Sequence, residues 1–207
     1  PSTAASASFD QSLLAGIPAP RIVFVNGRFD ASHSDVSGLP QGASLQALSQ
    51  VLASGEPRES NFLARRFDRA DEIFARLNAA LADDGAVLRL DAGVTVASPV
   101  HLVFIGAPAQ GDLAWHLRHL IELAEGAALT LVEHQLGQGA HQNLANALAH
   151  VHLAANATLR HARVQDESAG ATLLTRTDAV LSRDATYERL DLALYRRARG
   201  LARTPES

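Results

Sequence analysis

The stretch HLIELAEGAALTLVEHQLG, His119 to Gly137, carries the pattern that decides the fold. Its centre, Leu123 to Leu129, reads Leu-Ala-Glu-Gly-Ala-Ala-Leu. The frame returns as Leu-Ala-Ala-Asn-Ala-Thr-Leu (Leu153 to Leu159) and Leu-Ser-Arg-Asp-Ala-Thr-Tyr (Leu181 to Tyr187). A looser copy, Leu-Asp-Ala-Gly-Val-Thr-Val, runs from Leu90 to Val96. Anchored on Gly93, Gly126, Asn156 and Asp184, the copies lie 33, 30 and 28 residues apart. Gly, Asn and Asp are the residues that tolerate tight-turn conformations. Positions five and three before each anchor, and one and three after it, are apolar in all four copies.

This is the pattern of a strand, a tight turn and a second strand. One such coil cannot bury its inner face alone, whereas stacked coils can. A period near 30 residues suits a β-solenoid. It is too long for a hexapeptide helix and lacks the helix per repeat of leucine-rich or ankyrin arrays. An antiparallel sandwich or a cupin-like barrel also gives evenly spaced short strands, but the repeat favours the solenoid.

The period is helical before the repeat and two-residue within it. From Gly85 the sequence VLRLDAGVTVASPVHLVFIG alternates and is rich in β-branched residues, and it stays β-like to about Leu194. Upstream, RIVFVNGRFD (Arg21 to Asp30) breaks at Asn26-Gly27, a strong hairpin signal. A helical turn is expected near Asp10 to Leu14, and residues 31–43 read as loop. Leu45, Leu48 and Leu52 predict a helix with Ser44 as N-cap. GEPRES reads as a linker. Phe62, Leu63, Phe67, Ala70, Phe74, Leu77 and Leu81 predict an amphipathic helix of about five turns, stopped at Gly85. The expected organisation is a flexible 1–20, a hairpin and helical region over 21–85, β-helix coils over 86–194, and a divergent arginine-rich tail over 195–207.

The 207 residues are 47% hydrophobic and 19% charged, ordinary for a globular chain, with a net charge of -4. That charge argues against nucleic acid as a partner. No apolar run approaches the ~20 residues that span a bilayer. The opening PSTAASASFD lacks the basic start and apolar core of a signal peptide, so a cytoplasmic location is expected. Without an initiator methionine, it reads as a flexible end cut from something longer. There is no cysteine, and all 18 basic residues are arginine. No disulfide, thiol nucleophile, thiolate metal ligand, P-loop lysine or Schiff base is available from this sequence.

Nine histidines raise a metal reading. His150 and His152 share one strand face, as in cupin-type sites, but no Glu follows at the cupin position, so solvent-facing strand histidines are expected. His101 and His134 both lie eight after their anchors and should stack in adjacent coils about 4.8 Å apart. The same offset holds Val164 and Leu192, which points to a side-chain ladder. His116, His119 and the Glu133-His134 pair lack zincin spacing. Gly137-Gln138-Gly139 with Asn143 lacks the following GKS or GKT of a phosphate cradle. The pairs Asp83-Asp84 and Asp166-Glu167 raise a glycosidase reading, yet each is adjacent in sequence in a turn-like context, and solvated turns are the expectation. Aromatic content, 5%, is too low for a sugar-stacking groove. No residue is therefore assigned as catalytic or metal-binding, and no cofactor-binding residue is identified.

The segments RIVFVNGRFD, LNAALADDGAVLRLDAGV, SPVHLVFI and HLIELAEGAALTLVEH resemble, in order, the SufD branch of the SufB/SufD family of iron–sulfur cluster assembly proteins. The likeness runs from about Arg21 to Leu194. It implies a small N-terminal helical region, a right-handed parallel β-helix and a C-terminal helical part. It also implies a non-catalytic scaffold that pairs with a SufB-like paralogue and a SufC-like ATPase in a SufBCD-type complex. Iron–sulfur cluster, ATP and a flavin then belong to the complex, with none bound by this chain alone. A β-solenoid enzyme acting on polysaccharide is the alternative from another class.

The sequence departs from the family after LDLAL (Leu190 to Leu194), where further coils are expected. It reads YRRARGLARTPES instead, which looks like a truncation or a shifted frame, so the family's partner-facing residues transfer to no position here. A last coil without a cap would leave an open edge prone to self-association through residues near 178–194.

Overall fold

The computed structural model describes residues 8–55, 61–67, 69 and 71–194. The expected linker after Gly55 and the arginine-rich tail lie outside them. The strands are β1 (Arg21–Val25), β2 (Arg28–Phe29), β3 (Ala43–Ala47), β4 (Ala86–Leu90), β5 (Val100–Gly106), β6 (Ala114–Leu123), β7 (Ala128–Gly137), β8 (Leu144–Leu153), β9 (Thr158–Asp166), β10 (Thr172–Leu181) and β11 (Thr186–Ala193). Among the described residues, the helices α1 (Leu48–Ser54) and α2 (Ile73–Leu81) interrupt them early.

The strands form two sheets, ordered β11-β9-β7-β5-β1-β2 and β10-β8-β6-β4-β3, and alternate between them from β4 onward. From β4 onward every ladder is parallel, so each coil lays one strand on each sheet. This is the parallel β-solenoid that the repeat predicts. All four anchors have left-handed backbones: φ is 72° at Gly93, 68° at Gly126, and 59° at both Asn156 and Asp184. The turns stack as well: Gly93 N–H donates to Glu125 O, Gly126 to Ala155 O, and Asn156 to Arg183 O. Leu88, Leu90, Ile121, Leu123, Leu129, Val151, Leu153 and Leu159 fill the space between the sheets.

One offset shifts within the first coil. Thr95 bridges Ala128, but Val100 pairs with Leu131. The first coil thus carries two extra residues around Ala97-Ser98-Pro99. Val103, rather than His101, stands opposite His134.

The N-terminal segment caps and covers the stack. Asn26 (φ 47°) and Gly27 (φ 76°) form the β1–β2 hairpin, and β1 runs parallel beside β5. The expected first turn is a 3-10 helix, Gln11–Leu14, capped by the Asp10 carboxylate. Leu14 and Ile17 pack with Val23, Val25, Val103 and Ile105 on the outside of the first sheet.

The helices differ from their expected forms. Ser44 is no N-cap, because Ala43–Ala47 is a strand paired antiparallel with β4 and the helix starts at Leu48. Among the described residues, the span of the expected long helix holds a 3-10 turn over Asn61–Ala64 and the separate α2, with Ala70 of the expected stripe outside them. The expected apolar stripe is split. Phe62 and Leu63 pack beside Leu48, Val51, Val87 and Leu120, while Phe67 packs with Ala75 and Leu148. Phe74, Leu77 and Leu81 instead face outward with Ile73, 51%, 39%, 53% and 64% exposed. α2 docks through Asn78, whose Nδ2 donates to Leu117 O (2.8 Å) and Asn146 O (3.0 Å). Gly85 lies beyond the α2 C-cap, Ala82. Its role is close approach, since a Cβ there would overlap the Arg118 carbonyl.

Candidate functional site in the coil interior

The coil interior changes character along the stack. On the first sheet the inward face of β5 is Val100, Leu102 and Phe104, all apolar. The neighbouring ladder positions are Leu131, Glu133 and Gln135 on β7, then His161, Arg163 and Gln165 on β9, then Arg189, Asp191 and Ala193 on β11. A column Glu133–Arg163–Asp191 thus alternates in charge at strand spacing. Small residues face it from the second sheet: Ala147 and Ala149 on β8, and Thr175 and Thr177 on β10.

Glu133 is the hub. Its Oε1 accepts from Gln135 Nε2 (2.6 Å) and Arg163 Nε (3.0 Å). Its Oε2 accepts from His161 Nε2 (3.1 Å) and an Arg163 terminal nitrogen (3.2 Å). Burial alone would raise its pKa, but the His161 hydrogen bond and the Arg163 charge outweigh that and hold it well below the usual carboxylate range. Arg163 reaches across the interior to Thr175 Oγ1 (2.8 Å), and Arg189 repeats this with Thr177 Oγ1 (2.6 Å). The Tyr187 hydroxyl bonds His161 Nδ1 (3.0 Å). Facing them from β6, His119 is fully buried, and burial lowers its pKa to about 4.

The residues singled out from the sequence mostly lie elsewhere. His150 and His152 do share the outer face of β8, with ring centroids 6.5 Å apart. His150 is not solvent-facing, however: it is 1% exposed, lies beneath Phe62 and accepts from Arg118 Nε (3.1 Å). His101 and His134 form a ladder pair with centroids 5.2 Å apart and a 3.0 Å nitrogen contact, though diagonally across the register. His116 and His119 diverge to opposite faces of β6, His116 meeting Asn146 (3.0 Å) outside.

Gln138 takes the Asp10 N–H. Asn143 ties Ala107 O and Leu113 N together, a loop brace. Asp83 is the exposed turn residue expected, paired with Arg28 (3.0 Å). Asp84 is not: it is 3% exposed and accepts from the backbone of Phe29, Ser49 and Gly85, with its pKa raised by burial. Glu167 is half-buried rather than fully solvated, and this burial pushes its pKa up to about 7. Among the described residues, no group of three or more His, Asp or Glu side chains is placed to hold a metal ion. No helix among them is long and apolar enough to cross a membrane.

The motif search does not single out the interior charges, but their signal is in the sequence. Glu133 and Gln135 share the parity of Leu129 and Leu131, and His161 and Arg163 share that of Leu159. The same count that finds the repeat places them inside.

Two family models match consecutive parts of the chain. The model of the SufBD protein N-terminal region matches residues 14–102. The model described as SUF system FeS cluster assembly, SufBD core domain, matches residues 104–200. An iron–sulfur cluster assembly SufBD family protein of Synechocystis sp. is 26% identical over 184 residues, covering 84% of this chain and 40% of the relative. The iron–sulfur cluster assembly protein SufD of Escherichia coli is 27% identical over 168 residues, covering 80% and 37%. The chain spans about two fifths of the length of these curated relatives.

Proposed function

The chain belongs to the SufB/SufD family, and from this we propose that it serves iron–sulfur cluster assembly as a non-catalytic scaffold subunit of a SufBCD-type complex. The observation that carries the reading is the match of both family regions, in order, over a parallel solenoid. The partners are a SufB-like paralogue and a SufC-like ATPase, in the cytoplasm. Cluster, ATP and any flavin are held at the level of the complex. The chemistry of this sequence supports that division, since a chain without cysteine or lysine takes its thiolates and its nucleotide-binding lysine from partners.

A polysaccharide-acting solenoid is not favoured. Of its two carboxylate pairs, Asp83-Asp84 has one member committed to three backbone N–H groups and the other to Arg28. The test is reconstitution: the chain is mixed with a SufB-like and a SufC-like protein, and the mass of the complex and its cluster-loading rate are measured. A stable ternary complex with faster cluster formation is expected. Cluster formation at the same rate without the chain, and no complex by mass, would refute the scaffold role.

A further inference from the structure

Between β5 and β6 a buried imidazole nitrogen, His119 Nε2, has no partner among the described residues. His119 Nδ1 accepts the Ala86 N–H at 2.9 Å, so Nδ1 carries no hydrogen. Burial keeps the ring neutral at physiological pH, which puts the hydrogen on Nε2. That Nε2–H is buried and has no acceptor among the described residues. Its ring points inward, on the face of β6 shared by Leu117 and Ile121, and lies 5.1 Å from the Phe104 ring.

We infer that this point between the sheets is a binding site for a structural water molecule, which accepts from His119 Nε2–H and donates to Gln135 Oε1. Gln135 is next to Phe104 on the ladder, so the amide and the imidazole share one end of the interior. Gln135 gives one Nε2–H to Glu133, and its Oε1 is the atom of this side chain that can accept. The carboxylate of Glu133 already takes four hydrogen bonds and has no lone pair left for His119. Glu133 and Arg163 cancel in charge, so the site calls for a neutral guest. An anion would meet Glu133, and a cation would meet Arg163 and the His119 hydrogen. Ala149, beside His119 on the ladder, presents only a methyl group next to the imidazole. Buried waters take such positions, with two to four polar partners.

The test is NMR of the intact chain labelled at histidine nitrogen, near neutral pH. The expected result is the Nε2–H tautomer for His119, with an exchange or Overhauser cross-peak from that proton to a long-lived water. In Gln135→Leu the tautomer should persist and the cross-peak should be lost. An Nδ1–H tautomer would overturn the inference. So would an Nε2–H proton coupled directly to a protein acceptor, or one with no water cross-peak in the unmodified chain. A high-resolution crystal structure gives the independent readout: density for a water within hydrogen-bond distance of both atoms supports the site, and a dry interior refutes it.

Discussion

A carboxylate between two parallel sheets is tolerable only because its partners surround it. Removing one partner of a buried pair leaves the other charge uncompensated. Glu133→Leu should therefore cost about 3–5 kcal/mol, because Arg163 is itself buried. Adding Arg163→Met should recover most of that loss, since a well-packed apolar replacement of a buried pair is near neutral. Urea denaturation of the single and double variants reads the difference, and equal instability in both would refute the coupling. The pH dependence follows from the same residues. Glu133 titrates below its ordinary 4.5 when folded, so its contribution is complete above about that pH and is lost on acidification. His119, at about 4 against an ordinary 6.5, acts in the same sense: the unfolded chain binds the proton first, and stability falls as pH drops through that window. Glu167 runs the other way. Folded, it keeps its proton up to about 7, whereas unfolded it releases it near 4.5, so its contribution declines as pH rises between the two. Glu167→Gln should abolish that decline in thermal midpoints measured across the window while leaving the acid limb intact. An unchanged profile would mean that Glu167 is solvated in the folded chain.

Hydrogen bonds hold α2 in place more than apolar burial does. Four of its apolar residues point outward, and Asn78 anchors it to two carbonyls of neighbouring strands, with Asn146 Nδ2 returning a bond to Phe74 O (2.9 Å). Asn78→Ala should cost about 1–3 kcal/mol, the penalty for leaving buried carbonyls unpaired, and should free α2 before the coils. Hydrogen exchange checks this: amides of α2 should lose protection while those of β6 and β8 keep theirs, and uniform loss would contradict the anchor. The helix also shows what periodicity hides. Spacing by three and four marks Phe74, Leu77 and Leu81 as a buried stripe, yet the sheet accepts α2 on its Ala75–Asn78 side. Which face docks is set by hydrogen-bond partners on β6 and β8, far away in sequence and invisible to a local pattern. The hairpin and the turns are legible because their cause is local. Asn26-Gly27 and the anchors need a left-handed backbone, and only a few residue types supply it cheaply.

Across the whole molecule, the repeat is legible because stacking makes neighbours of residues about 30 apart, so each coil repeats its neighbour's apolar positions. The drift from apolar to charged interior is carried by the same two-residue parity, but it lies at the positions where the coils differ rather than where they agree. That drift ends at β10 and β11, the last described strands of their sheets. No described strand pairs with their outer edges, and Val180, Leu190 and Leu192 are 57%, 67% and 51% exposed. Unpaired edges beside apolar side chains template pairing with another chain. The 207-residue chain on its own should therefore self-associate through residues 178–194, with a mass that rises over the micromolar range in sedimentation velocity. Lysine at Leu190 and Leu192 should shift that chain toward monomer by setting like charges against each other across the pairing, while far-ultraviolet circular dichroism stays unchanged. A chain that is monomeric throughout that range would refute pairing through these edges.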